Sequence, residues 1–202
     1  MKILVFDTET TWFIDKKESS LDKQPHIIQF AWIIWELKNW TFNETSRINK
    51  FIKPKIPIPF AASQVHHIYD IDVKNVPYIE EEIPNFLNYI NSCDVIIWHN
   101  IEYDENMIKL ELKRLQKEYL YKPKQVICTM KQTVDFCALP WNWNRFKYPK
   151  LWELYKKLFW EYFLWAHDAI FDVEATLKIF LELNKLWILK LQENKQEILS
   201  LF

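Results

Sequence analysis

Asp7 and Glu9 stand two residues apart in Phe6-Asp7-Thr8-Glu9-Thr10-Thr11-Trp12, directly after the apolar run Ile3-Leu4-Val5-Phe6. If that run is a buried strand, its two-residue period sends both carboxylates to one side at its end. Two such charges either share a divalent cation, Mg²⁺ or Mn²⁺, which takes hard oxygen ligands, or cap a helix or face water in a turn. A further acid, Asp104, ends Trp98-His99-Asn100-Ile101-Glu102-Tyr103-Asp104, and a third segment, Ala166-His167-Asp168-Ala169-Ile170-Phe171-Asp172, carries His167 and Asp172. Asp172 is flanked by Ile170, Phe171 and Val173, where a carboxylate is costly to bury unless it ligates something. The plain alternatives are a helix-terminal or core histidine for His167 and a charge favoured by a helix N-terminus for Asp104.

The elements that must position these groups follow from periodicity. Ile27 to Trp35 and Phe42 to Phe51 read as strands joined through Lys38-Asn39-Trp40-Thr41 in the layout of a hairpin, where an Asn-Gly turn is expected. Ile52 to Pro59 holds too many prolines for a helix and reads as an extended connector. Helices are expected at Phe60 to His66, Glu81 to Ile90, Met107 to Tyr119, Thr129 to Phe136, Leu151 to Phe159 and Ala169 to Leu186, with His167 opening the last and Asp172 about a turn and a half inside it. Asp94 to Ile97 and Val126 to Cys128 read as further buried strands. Such an order makes an α/β domain, a mixed central sheet flanked by helices. Residues 1–188 form one domain on this reading, and 189–202 a C-terminal helical extension that docks on it or on a partner.

With 202 residues, half of them hydrophobic, and 26 basic against 27 acidic side chains, the chain is neither disordered nor a polybasic nucleic-acid coat. Any nucleic-acid contact must be local. The three cysteines lack metal-ligand spacing and read as reduced and structural. With neither a charged leader nor a membrane-spanning run in the sequence, the expectation is a soluble cytoplasmic protein.

Asp7-x-Glu9, His99-Asn100-x-x-Tyr103-Asp104 and His167-x-x-x-x-Asp172, in this order and spacing, resemble the three motifs of the DEDDh 3′→5′ exonucleases. The family includes the proofreading epsilon subunit of bacterial DNA polymerase III and RNase T. Val65-His66-His67-Ile68 is similar to the family's Val-His-Gly-Ile, Cys128-Thr129-Met130 to its Asp-Thr-Leu, and Pro149-Lys150-Leu151 to its Pro-x-Leu. The resemblance implies an RNase H-like fold and a metal-dependent exonuclease acting on single-stranded DNA 3′ ends in proofreading or repair, with a DNA polymerase as a possible partner. It implies a two-ion centre held by Asp7, Glu9, Asp104 and Asp172, with His167 as general base in its neutral form. It further implies that Thr10, Thr11 and Phe13 hold the terminal nucleotide, Phe13 by stacking, and that His66 and Asn100 contact it or order the site. Phe13 is as readily explained by core packing. Trimming of RNA 3′ ends uses the same motifs, and a non-catalytic nucleic-acid or polymerase-binding module is the alternative of another class. Lys147, Lys150, Lys156 and Lys157 could follow a strand, but a lysine-rich face is more often simply solvated.

The composition has one anomaly, no glycine beside 11 tryptophans, where about 14 glycines are expected at the usual ~7%. Where the family resemblance places glycine, the sequence has Trp12, Trp98, Trp160 and Trp165, and Trp40 stands in the hairpin turn. Two readings compete: an aromatic-rich site that stacks bases, or UGA codons meaning glycine that were rendered as tryptophan. The ratio of 23 lysines to 3 arginines suits an AT-rich genome and favours the second. UGG at all 11 positions would rule it out.

Overall fold

A computed structural model of the chain describes residues 1–38, 41–142, 145–163, 168–189 and 191. In chain order the elements are β1 (Lys2–Thr10), β2 (Ile27–Lys38), β3 (Thr41–Phe51), α1 (Phe60–His66), α2 (Ile79–Ser92), β4 (Val95–Trp98), α3 (Ile101–Arg114), β5 (Val126–Cys128), α4 (Thr129–Gln132), α5 (Val134–Cys137), β6 (Pro140–Asn142), β7 (Arg145–Phe146), α6 (Leu151–Phe159) and α7 (Ala169–Lys185). Five strands form a mixed sheet in the order β3-β2-β1-β4-β5: β1 pairs antiparallel with β2 and parallel with β4, and β5 extends the parallel side. β6 and β7 make a separate small hairpin that periodicity does not reveal.

Strand parity divides the core in two. Ile3 and Val5 of β1, with Ala31, Ile33, Val95, Ile97 and Ile127, face α6 and α7. Leu4 and Phe6, with Phe30, Trp32, Ile34, Ile96 and Trp98, face α2 and α3. The near-continuous apolar runs of β1, β2 and β4 are what a sheet covered on both faces requires. α7 packs along β1 and β2 and so runs under the end of the strand that carries Asp7 and Glu9.

Helix ends differ from their expected bounds by one or two residues at α2 and α7 and by more in two helical segments. α3 starts at Ile101, behind Asn100 in the left-handed region at φ 65°, and stops at Arg114 because Gln116 turns to φ 57° and the Lys117 N–H closes on the Leu112 carbonyl at 2.9 Å. The segment expected as one helix from Thr129 to Phe136 breaks at Thr133, whose hydroxyl donates to the Thr129 carbonyl at 2.7 Å in competition with the backbone. The expected β2–β3 hairpin is present, with Lys38 opposite Thr41, while Asn39 and Trp40 lie outside the described residues, as do Trp165 and residues 192–202 of the C-terminal extension.

Left-handed backbone also occurs at His67, Ala138, Trp160 and Trp187, with φ between 50° and 60°. A bulky side chain rarely adopts this region, where glycine is at ease. His67 occupies the glycine of the Val-His-Gly-Ile resemblance, and Trp160, which follows α6, occupies another glycine position. The three cysteines are free and buried. Among the described residues no helix is long and apolar enough to cross a membrane.

Candidate active site

The parity of β1 continues beyond the core and sorts the site. Asp7 and Glu9 follow Ile3 and Val5 to the α7 side, and Thr8 follows Leu4 and Phe6 to the α3 side. From below, α7 raises Asp172, so that carboxylate oxygens of Asp7, Glu9 and Asp172 lie within 4.8 Å of one another. From the other face α3 brings Asp104, which accepts hydrogen bonds from the Thr8 N–H at 3.1 Å and the Thr8 hydroxyl at 2.6 Å. All four acids of the three motifs thus meet at the end of one strand.

Their mutual repulsion appears in their protonation. Burial, then the charges of Asp104, Asp172, Glu9 and Asp168, push the Asp7 carboxyl well above the ordinary carboxylate range. Glu9 is raised likewise by burial and by Asp172, Asp104 and Asp168. Burial pushes Asp104 up to about 7 against the opposing hydrogen bonds from Thr8. A set of hard carboxylate oxygens that resists ionisation when left alone fits a Mg²⁺ or Mn²⁺ centre, whose charge would reverse that resistance.

The start of α7 is fixed by residues that the motif reading passed over. Asp168 caps the helix, its Oδ1 accepting from the Ile170 N–H at 3.3 Å and from Gln29 Nε2 at 3.0 Å. Gln29, buried in β2, also accepts from the Ala169 N–H at 3.3 Å and donates to Asn49 at 2.8 Å. Asp172 therefore sits one turn inside the helix, closer to its start than expected. An Asp before an apolar helix is a legible cap signal, but nothing in sequence links it to Gln29. His167 lies just before these residues and outside the described ones.

The loop after β1 is held from two sides. The Tyr103 hydroxyl meets the Thr10 hydroxyl at 2.5 Å and donates to the Trp12 carbonyl at 2.9 Å, while Phe13 stands edge-on to Tyr103 with ring centres 6.0 Å apart. Phe13 is 68% exposed, so the core-packing alternative does not describe it. On the other side the Thr11 N–H donates to the His26 carbonyl at 2.8 Å and the Thr11 hydroxyl accepts from the His26 N–H at 2.9 Å. Behind His26, fully buried Glu111 accepts from the Ile27 N–H at 3.0 Å and pairs with His26 at 3.3 Å and with Arg114 at 2.8 Å. The Arg114 guanidinium also donates to the carbonyls of Leu21, Gln24 and Pro25.

Phe13, Asn100 and Tyr103 line a common groove. His66 is buried at the end of α1, with its Nδ1 accepting from the Ile68 N–H at 3.0 Å, and is not part of that lining. His99 is kept neutral by burial, its pKa lowered to about 4, so that Nε2–H donates to the Pro149 carbonyl at 3.0 Å and ties the start of α3 to the segment before α6. Trp98, at a glycine position of the motif, is fully buried against Phe6 with ring centres 4.1 Å apart, and its indole N–H has no acceptor among the described residues.

A five-stranded mixed sheet with helices on both faces and a carboxylate cluster at the end of its first strand is the RNase H-like arrangement of the DEDDh exonucleases. The nuclease domain of 3′hExo, a DEDDh family member whose structure was determined bound to rAMP, superimposes with a TM-score of 0.71 over 96% of each chain at 14% identity. The family model described as Exonuclease (RNase_T) matches residues 4–180, and the chain belongs to that family. It is 28% identical over 193 residues, 95% of its length, to the PolC-type DNA polymerase III of Caldanaerobacter subterraneus subsp. tengcongensis, and 32% identical over 117 residues, 58% of its length, to the DNA polymerase III epsilon subunit of Buchnera aphidicola subsp. Schizaphis graminum. The chain spans 12% of the first relative and 48% of the second.

Proposed function

We propose that this domain removes nucleotides from the 3′ ends of single-stranded DNA by metal-dependent hydrolysis, in proofreading or repair, alone or beside a DNA polymerase. The observation that carries the reading is the convergence of Asp7, Glu9 and Asp172 within 4.8 Å, with Asp104 held next to them by Thr8. Asp7, Glu9, Asp104 and Asp172 would hold two Mg²⁺ or Mn²⁺ ions. Such ions, when bound, lower the pKa of water and offset charge on the departing 3′-oxygen.

The chain's own residues supply the rest. His167, neutral at its nitrogen, takes the proton of the attacking water, a role suited to a group titrating near neutrality. Phe13 offers an exposed ring for the terminal base, and stacking accepts any base. Thr10 and Tyr103 fix the backbone at Trp12 that presents Phe13, while Asn100 stands at the head of α3 in the same groove. His66 acts from α1 by ordering the site.

The DNA reading is supported by the polymerase relatives. RNA is the second reading, since the 3′hExo domain was bound to rAMP. Rates on DNA and RNA strands of one sequence, for wild type and His167→Ala, test both. The expected result is faster DNA hydrolysis and a loss of turnover by orders of magnitude in the variant, with metal binding retained. Faster RNA hydrolysis would reverse the substrate assignment, and an unchanged rate in His167→Ala would remove the base.

A further inference from the structure

The lysines of α3 are not used by the site, yet they line a groove beside it, which Phe13, Asn100 and Tyr103 border and the four carboxylates do not. The groove encloses about 860 Å³, and Phe13, Asn100 and Tyr103 form its end nearest the carboxylates. Along α3 its wall continues through Asn106, Lys109 and Lys113, spaced so that they share one helix face, and Lys16, Lys131, Tyr121 and Tyr148 also border it. From Asn100 to Lys113 the helix rises by roughly 20 Å, far longer than one nucleotide needs.

The chemistry of this lining selects its occupant. Four lysines face two glutamates, Glu102 and Glu118, and Glu102 is already paired with Lys131 at 3.2 Å. Lys109 stands 2.8 Å from Glu105 and 5.6 Å from the centre of the Tyr121 ring. An apolar peptide or helix would have to desolvate Lys16 and Lys113, which form no ion pair among the described residues, as well as the paired Lys109 and Lys131. A chain of phosphates meets them directly, while the exposed rings of Phe13 and Tyr148 offer faces for bases.

We propose that this groove is the track of the single strand leading to the terminal nucleotide, with Lys16, Lys109 and Lys113 contacting its phosphates 5′ of the bond that is cut. The proposal rests on the reading of the carboxylate cluster as an exonuclease centre, but its lysines lie outside that cluster. At ~3.4 Å per stacked nucleotide about six nucleotides span the roughly 20 Å track, so a 12-mer would engage all of it, whereas a trinucleotide, about 10 Å long, would end short of Lys109 and Lys113.

The test is the binding of a labelled single-stranded DNA 12-mer in EDTA, followed by fluorescence anisotropy across a salt series. The variant Lys16→Glu/Lys109→Glu/Lys113→Glu is compared with the charge-matched control Lys38→Glu/Lys124→Glu/Lys185→Glu, and melting curves check that both are folded. The groove variant should raise Kd at least tenfold at 0.1 M salt and reduce the salt slope by about 2, as expected for three lost contacts to a single strand. The control should match wild type. With Mg²⁺, the groove variant should keep its turnover on a trinucleotide and show a raised KM only on the 12-mer. Equal 12-mer affinity for the groove variant and wild type, or equal loss in the control, would overturn the track. Absence of hydrolysis by wild type on any strand would instead overturn the exonuclease reading and leave the binding result to judge the groove.

Discussion

At the scale of single residues the site is defined by charge that the fold holds together against repulsion. Asp7, Glu9 and Asp104 keep their protons to higher pH in the folded chain than in the unfolded one. Between about 4, where an unfolded aspartate ionises, and the Asp104 value of about 7, raising the pH therefore favours the unfolded state through these three acids, against the opposite contribution of His99, whose lowered pKa of about 4 adds stability as the pH rises toward 6.5. In EDTA the cluster should make the protein melt at a lower temperature at pH 7.5 than at pH 5, and Mn²⁺ should erase the difference. Ion binding at a hundredfold excess over Kd adds about 2.7 kcal/mol. A melting temperature in EDTA that rises steadily over this range would contradict the account. The motif residues Asp7, Glu9, Asp104 and Asp172 are legible in sequence because period two and one helical turn fix their relative directions. Gln29, Thr8 and the link of Asp168 to Gln29 are not, since these depend on which strand lies beside which helix end, and that is set by the sheet order.

At the scale of elements, two features set how firmly the substrate loop and the helix ends are held. The buried Glu111 joins α3 to His26 and so to Thr11, and its removal leaves Arg114 and His26 without their shared carboxylate. Glu111→Ala should lower unfolding free energy by about 3–5 kcal/mol in urea titration, and a loss below 1 kcal/mol would show that the network is not what anchors the loop. Trp160 presents the opposite case. It is 90% exposed at φ 60°, so its side chain gives little burial while its backbone sits where a residue with a Cβ is disfavoured by roughly 1–2 kcal/mol. Against this, glycine costs up to about 1 kcal/mol through the freedom of the unfolded chain. Trp160→Gly should therefore stabilise the protein by up to about 1 kcal/mol in the same titration, and a destabilised variant would show that the tryptophan belongs there. Most element positions follow from apolar periodicity. The ends of α3 and the break at Thr133 do not, because left-handed residues and a hydroxyl bonding to the backbone decide them locally.

At the scale of the whole molecule, the mixed sheet places the ends of β1 and β4 together and packs α7 beneath one and α3 above. That arrangement turns three separated motifs into one centre. It also sharpens the glycine anomaly: left-handed backbone at His67 and Trp160, and at Trp98 a buried indole N–H without an acceptor among the described residues, fall where the family resemblance places glycine. Peptides that span the tryptophan positions, cut from the protein of the native source, should be lighter than the sequence requires by the difference between tryptophan and glycine at each recoded position. Peptide masses equal to those of the sequence at every such position would establish the 11 tryptophans as genuine. The central claim is tested most directly by incubating a 5′-labelled single-stranded DNA with the protein in Mg²⁺ and resolving the products at single-nucleotide resolution. The account predicts a ladder of labelled strands shortened stepwise from the 3′ end, absent in EDTA and absent with Asp172→Asn. Full-length strand at all times, or a ladder that persists in EDTA, would contradict it.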